Sequence, residues 1–106
     1  MTTYFDLARI DQNNRICHVR SRLQLSMSSE NAARLLGILG APRDATFLEP
    51  AIMQDLLECT VREQSVRNVA NGDSRARYEL PRLVQLQCLF HAAAVRGYGV
   101  MVWEDS

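Results

Sequence analysis

Lysine is missing from this sequence altogether: all 12 basic residues are arginines, set against 12 acidic residues for a formal net charge of zero. A general excess of positive charge, the usual mark of a nucleic-acid binder, is excluded, and every basic side chain other than histidine is a planar, multidentate guanidinium. Cysteine is scarce and odd in number. Cys17, Cys59 and Cys88 lie far apart, which suits reduced thiols acting as small hydrophobes and predicts no disulfide framework. No apolar run approaches the roughly 18 residues of a membrane-spanning helix, and "MTTYFDLARID" lacks the basic-then-apolar layout of a signal peptide. The expectation is a cytoplasmic protein with no membrane partner. Internal repeats and low-complexity tracts are also missing.

What is present is ordinary globular composition, 47% apolar and 23% charged over 106 residues, the size of a single domain. The charge is unevenly placed. Residues 1–43 carry six arginines against three acids, whereas 44–63 carry Asp44, Glu49, Asp55, Glu58 and Glu63 against Arg62 alone.

Local pattern gives the elements. "TYFDLARI", a turn at "DQNN" and the alternating "RICHVRSRLQLS" predict a β-hairpin pairing Thr3 to Ala8 with Arg15 to Leu25. Ser28 is placed as an N-cap behind the staple residue Met27, with the stripe Ala32, Leu35, Leu36 and Leu39 and a stop at Gly40 and Pro42. A second helix is expected from Pro50 to Ala70, and "NGDSRAR" then reads as a loop exposing Arg75 and Arg77. Pro81 starts a third helix that ends at Gly97, and "YGVMVW" forms a terminal strand. The fold expected is α+β, in the order ββαααβ, with an antiparallel sheet of about three strands and helices on one face.

In the long strand, Cys17, Val19, Leu23 and Leu25 share one parity; His18, Arg20, Arg22 and Gln24 share the other. With helices covering only one side, the second set should lie on the open face beside one parity of the terminal strand, and Trp103 is expected in the core. That arginine-rich face, with Arg75 and Arg77, is the candidate binding site. It suits an acidic protein surface through bidentate pairing, or single-stranded nucleic acid through stacking and phosphate contact.

Catalytic and metal patterns are weaker. Cys17 and His18 with Cys88 and His91 supply ligand types for zinc, but adjacent strand residues point to opposite faces. Cys59 lies in an acidic stretch and Cys88 in an apolar helix, settings that raise a thiol pKa. Asp55 and Glu58 read as a solvated helix face. No phosphate-cradling glycine loop, G-x-S-x-G or H-E-x-x-H occurs. An enzyme would need a deep pocket, with His91, Cys88 and Glu79 as its lining.

The segment "LSMSSENAARLLGILGAP" resembles a pattern, L-S-x-S-x-x-N-A-x-x-L-L-x-x-L-G, found in small proteins of proteobacteria and their phages, and "VQLQCLFHAAAVRGYGVMVWED" extends it loosely. The resemblance brings no activity. It implies a bacterial or phage accessory protein, a group in which compact inhibitors, including anti-CRISPR proteins, are common. The functional expectation is a non-enzymatic, monomeric binding protein without metal or cofactor that acts on a protein partner, with single-stranded nucleic-acid binding as the alternative.

Overall fold

The computed structural model describes residues 1–69 and 72–105. Strand β1 (Thr2–Ile10) runs through the middle of an antiparallel sheet whose order is β2-β1-β5-β4, with β3 also paired to β1. β2 is Ile16–His18, β3 Leu25–Ser28, β4 Phe47–Leu48 and β5 Gly99–Asp105. Three helices, α1 (Ser29–Ile38), α2 (Met53–Val69) and α3 (Ser74–Arg96), pack on one face of this sheet. The α+β class and the helical layer agree with expectation, but the sheet has five strands where about three were expected.

One extra strand comes from splitting the long alternating run. β2 pairs with β1 in the register Ala8↔His18, whereas β3 pairs in the register Phe5↔Leu25. Two residues of β1, Asp6 and Leu7, therefore face six residues, Val19 to Gln24. The cause is hydrophobic. Continuing the β2 register would set Ser21 opposite Phe5; expelling four extra residues sets Leu25 there and Met27 opposite Thr3, and both are buried. Burying two such side chains contributes about 1.5–3 kcal/mol each. An even number of expelled residues preserves the parity of the flanking segments. Ser21 stabilises the excursion by accepting the Leu23 N–H at 3.0 Å, and Val19 rejoins β1 through its N–H to the Leu7 carbonyl. The other extra strand, Phe47–Leu48, is too short for alternation to reveal.

The hairpin turn is closed by Asp11, whose carboxyl accepts the backbone N–H groups of Arg15 and Asn13 and is held below its ordinary 3.8 by them, Arg15 contributing most. Asn14 takes the positive φ that the turn requires. α1 follows its expected punctuation: Ser28 accepts from the Asn31 N–H, and Gly40 takes φ 77° just beyond the helix. A 3₁₀ turn, Pro50–Ile52, leads into α2. The expected end of α2 at Ala70 lies outside the described residues.

α3 corrects the sequence reading most. It begins at Ser74, capped by Asp73, so Pro81 is interior and Arg75 and Arg77 belong to the first turn of a helix, not to a loop. Pro81 offers no N–H to the Arg77 carbonyl, a defect of about 3 kcal/mol in an isolated helix. Burial of Ala76 and Glu79 ahead of it, in line with Leu83 and Leu86, holds the extra turns in place. Arg82 adds a patch, stacking its guanidinium 3.6 Å over the Tyr78 ring and donating to the Tyr78 carbonyl at 3.0 Å.

Glu79 binds the three helices together. Arg34 of α1 donates to Oε2 at 2.7 Å and Arg67 of α2 to Oε1 at 3.2 Å, while Arg67 also reaches Glu63 at 3.1 Å. Glu79 and Arg67 are nearly excluded from solvent, so each depends on the other. Glu79→Ala should lower the unfolding free energy by about 3 kcal/mol through the orphaned buried arginine. Glu63→Ala, which removes a more exposed partner, should cost under about 1 kcal/mol. Urea denaturation of the two variants measures the difference.

Candidate functional site

Register fixes what the uncovered face carries. Cross-strand partners point the same way, so Tyr4, Asp6, Ala8 and Ile10 of β1 share a face with Ile16 and His18 of β2 and with Met101 and Trp103 of β5. Phe47 joins them from β4, opposite Met101. Its ring also fills the space above Gly99, where an added Cβ would meet it at 2.7 Å. The terminal strand thus presents Met101 and Trp103 outward and Val100 and Val102 inward.

Asp6 is the organising group. It lies on the uncovered face, yet it is only 3% exposed, because other side chains close over it. Its Oδ2 accepts from Trp103 Nε1 at 2.6 Å and from Gln24 Nε2 at 3.0 Å, and His18 Nε2 lies 3.4 Å from Oδ1. His18 adds an ion pair whenever its ring is protonated. The indole is held on its second side by Tyr4, stacked at 4.3 Å between centroids and 15° between planes. Trp103 is therefore 38% exposed in a fixed orientation on the open face, and its expected place in the core is corrected. Its N–H finds the Asp6 carboxylate on this side.

Around that centre the face is mixed, with Ser26 opposite Tyr4 and Thr2 opposite Ser28 and Asp105 at one end and apolar side chains toward the other. Ile10 and Ile16 are paired across the hairpin, 42% and 50% exposed, and Tyr4, Met101 and Phe47 are half-buried. No protein-family model, curated protein or solved structure matches this chain.

The residues singled out from sequence divide into separate places. His18 and Gln24 meet at Asp6, as members of one face. Arg20 and Arg22 lie exposed outside the strands, in the expelled segment, and Arg22 lines a hollow against Val84, Gln85 and Cys88 of α3. The single arginine-rich strand face is corrected to a face of mixed character that holds His18 and Gln24, with both arginines outside the strands. Arg75 and Arg77, two residues apart on a helix, diverge in direction, and Arg75 lines a cleft with Arg34 and Arg43. Asp6, Tyr4 and Ile10 escaped the sequence reading, whereas Ile16 and Met101 lie on parities it had considered for the open face. Their shared parity with Trp103 was the available signal.

The residues set out for an enzyme pocket line three different hollows, Glu79 one, His91 another and Cys88 a third. Cys17 and His18 point to opposite sides, His18 to Asp6 and Cys17 to Asp11 at 3.6 Å. Among the described residues no group of three or more His, Cys, Asp or Glu side chains is placed to hold a metal ion, and no helix is long and apolar enough to cross a membrane.

Replacing Asp6 with leucine removes one acceptor from two donors and should lower the unfolding free energy by about 1–3 kcal/mol. The Trp103 indole N–H resonance should lose its hydrogen-bonded position and broaden in the same variant, which a two-dimensional ¹⁵N–¹H spectrum reports. An unchanged indole resonance would contradict the role given to Asp6.

Proposed function

We propose that this chain is a non-enzymatic binding domain that engages a protein partner through the uncovered face of its sheet. The observation that carries this reading is the fixed, part-exposed Tyr4–Trp103 stack on the uncovered face, with Met101 beside it and the exposed pair Ile10 and Ile16 farther along β1. Aromatic anchors that need no reordering lose little side-chain entropy on binding, and tryptophan and tyrosine dominate interface energetics for that reason. Arg20 and Arg22 in the adjacent segment supply rim contacts to acidic groups, which favour encounter rate and specificity more than affinity.

Such a domain acts by occupying a surface that another macromolecule needs. An inhibitor carried by a phage or mobile element is the form of that action that the α1 segment's resemblance to proteobacterial and phage proteins supports. The domain works as a monomer, with a different protein as partner. Single-stranded nucleic acid is the weaker reading for this face: Asp6 stands at its centre, Asp105 shares its parity, and one side of each stacked ring is already taken.

A pull-down from a proteobacterial lysate, comparing wild type with Ile16→Asp/Trp103→Ala, tests the assignment. Hot-spot loss of about 2 kcal/mol or more should remove the enriched partner, while Arg20→Glu/Arg22→Glu should weaken it less. A partner retained by the face variant contradicts the proposal. Oligonucleotide binding with a steep salt dependence would move the reading to nucleic acid, and light scattering showing a stable dimer would make a second copy the occupant of the face.

A further inference from the structure

A second polar feature lies wholly outside the sheet. A cleft of about 330 Å³ opens between α1 and the first turns of α3, lined by Glu30, Asn31 and Arg34 from α1, Arg43 after it, and Arg75, Tyr78 and Glu79 from α3. Three guanidinium groups reach it from three separate stretches of chain. Its carboxylates do not balance them. Both oxygens of Glu79 are engaged, Oε2 by Arg34 Nε and Oε1 by Arg67 Nε, which leaves the terminal nitrogens of Arg34 as spare donors. Arg43 and Arg75 form no ion pair among the described residues. The Tyr78 hydroxyl accepts from Asn31 Nδ2 at 2.8 Å, so its own hydrogen remains to be donated. Against these donors, Glu30 is the one lining carboxylate with uncommitted oxygens.

Arg43 is seated by an independent device. Gly37 interrupts α1 at a position where alanine would favour the helix, and a Cβ there would approach Arg43 Nε to 3.1 Å. The missing side chain leaves room for the guanidinium to lie against α1 beside the cleft.

We propose that this cleft is an anion site for a phosphate monoester, with Arg34, Arg43 and Arg75 as its donors. A tetrahedral dianion presents several acceptor oxygens in different directions, which suits three guanidinium forks arriving from different segments; a planar carboxylate would engage one fork well and leave the others unpaired.

The test is a titration of the ¹⁵N-labelled protein followed at the arginine Nε–Hε resonances, with inorganic phosphate and O-phosphoserine as probes, chloride at matched ionic strength as control and succinate as competitor. Saturable shifts are expected at Arg34, Arg43 and Arg75, and not at Arg20, Arg22 or Arg77. Arg43→Ala/Arg75→Ala should weaken phosphoserine binding about tenfold or more, as losing charge-assisted hydrogen bonds does. Both residues stand outside the Glu79 network, so unchanged thermal melting verifies the fold, and Arg75→Glu alone provides a second variant. Shifts no larger than with chloride, an unchanged titration in the variants, or succinate saturating below phosphoserine would each overturn the proposal.

Discussion

A single carboxylate on the uncovered side of the sheet, Asp6, decides how the surface of this protein is arranged. A charge on an exposed sheet face would ordinarily stay solvated, but here an indole N–H and a carboxamide N–H converge on one of its oxygens, and an imidazole lies beside the other. The three donors come from β5, from the segment between β2 and β3, and from β2. Removing water from a carboxylate is costly unless charge-assisted hydrogen bonds replace it, and these replace it. The segment Val19–Gln24, which the hydrophobic register of Leu25 and Met27 forces out of the sheet, is thereby tied back through its last residue. Trp103 is fixed in one orientation, and Tyr4 stacks on it.

The two faces of β1 thus do different work with alternating residues. Phe5 and Leu7 enter the core under the helices, and Tyr4 and Asp6 build the outer surface. On the helical side a second buried carboxylate, Glu79, plays a comparable part with arginines from α1 and α2. Both sites confer specificity through polar groups with few alternatives, at the cost of burying charge. The arginine-only basic complement fits this arrangement, because a guanidinium can serve a buried carboxylate through one nitrogen and keep others free for a ligand or partner.

Much of the fold was legible from residue pattern. The Ser28 cap, the Ala32–Leu39 stripe, Gly40, Gly97 and the terminal strand all appear where local chemistry puts them, because caps and helix stops act over a few residues. Two features were not legible for physical reasons. Unbroken alternation from Arg15 to Ser26 hides a register shift, since expelling an even number of residues leaves parity intact and only the partner strand reveals the difference. Pro81 conceals the first turns of α3, because proline reads as a first-turn residue and Glu79 adds no apolar periodicity ahead of it until the fold brings Arg34 and Arg67 to its carboxylate. The candidate site suffered in the same way: His18 and Gln24 were readable as outward-facing, but Asp6 becomes a centre only when β5 pairs beside β1 and delivers Trp103.

The central claim is that the face organised by Asp6 is where a partner binds. Oxidative footprinting tests it most directly, because Trp103 and Met101 are both reactive side chains on that face. With the captured partner bound, both should be protected from oxidation, while His91, in the hollow between α2 and α3, reacts as in the free protein. Equal oxidation of Trp103 and Met101 with and without the partner, or protection confined to the α3 side, would contradict the account.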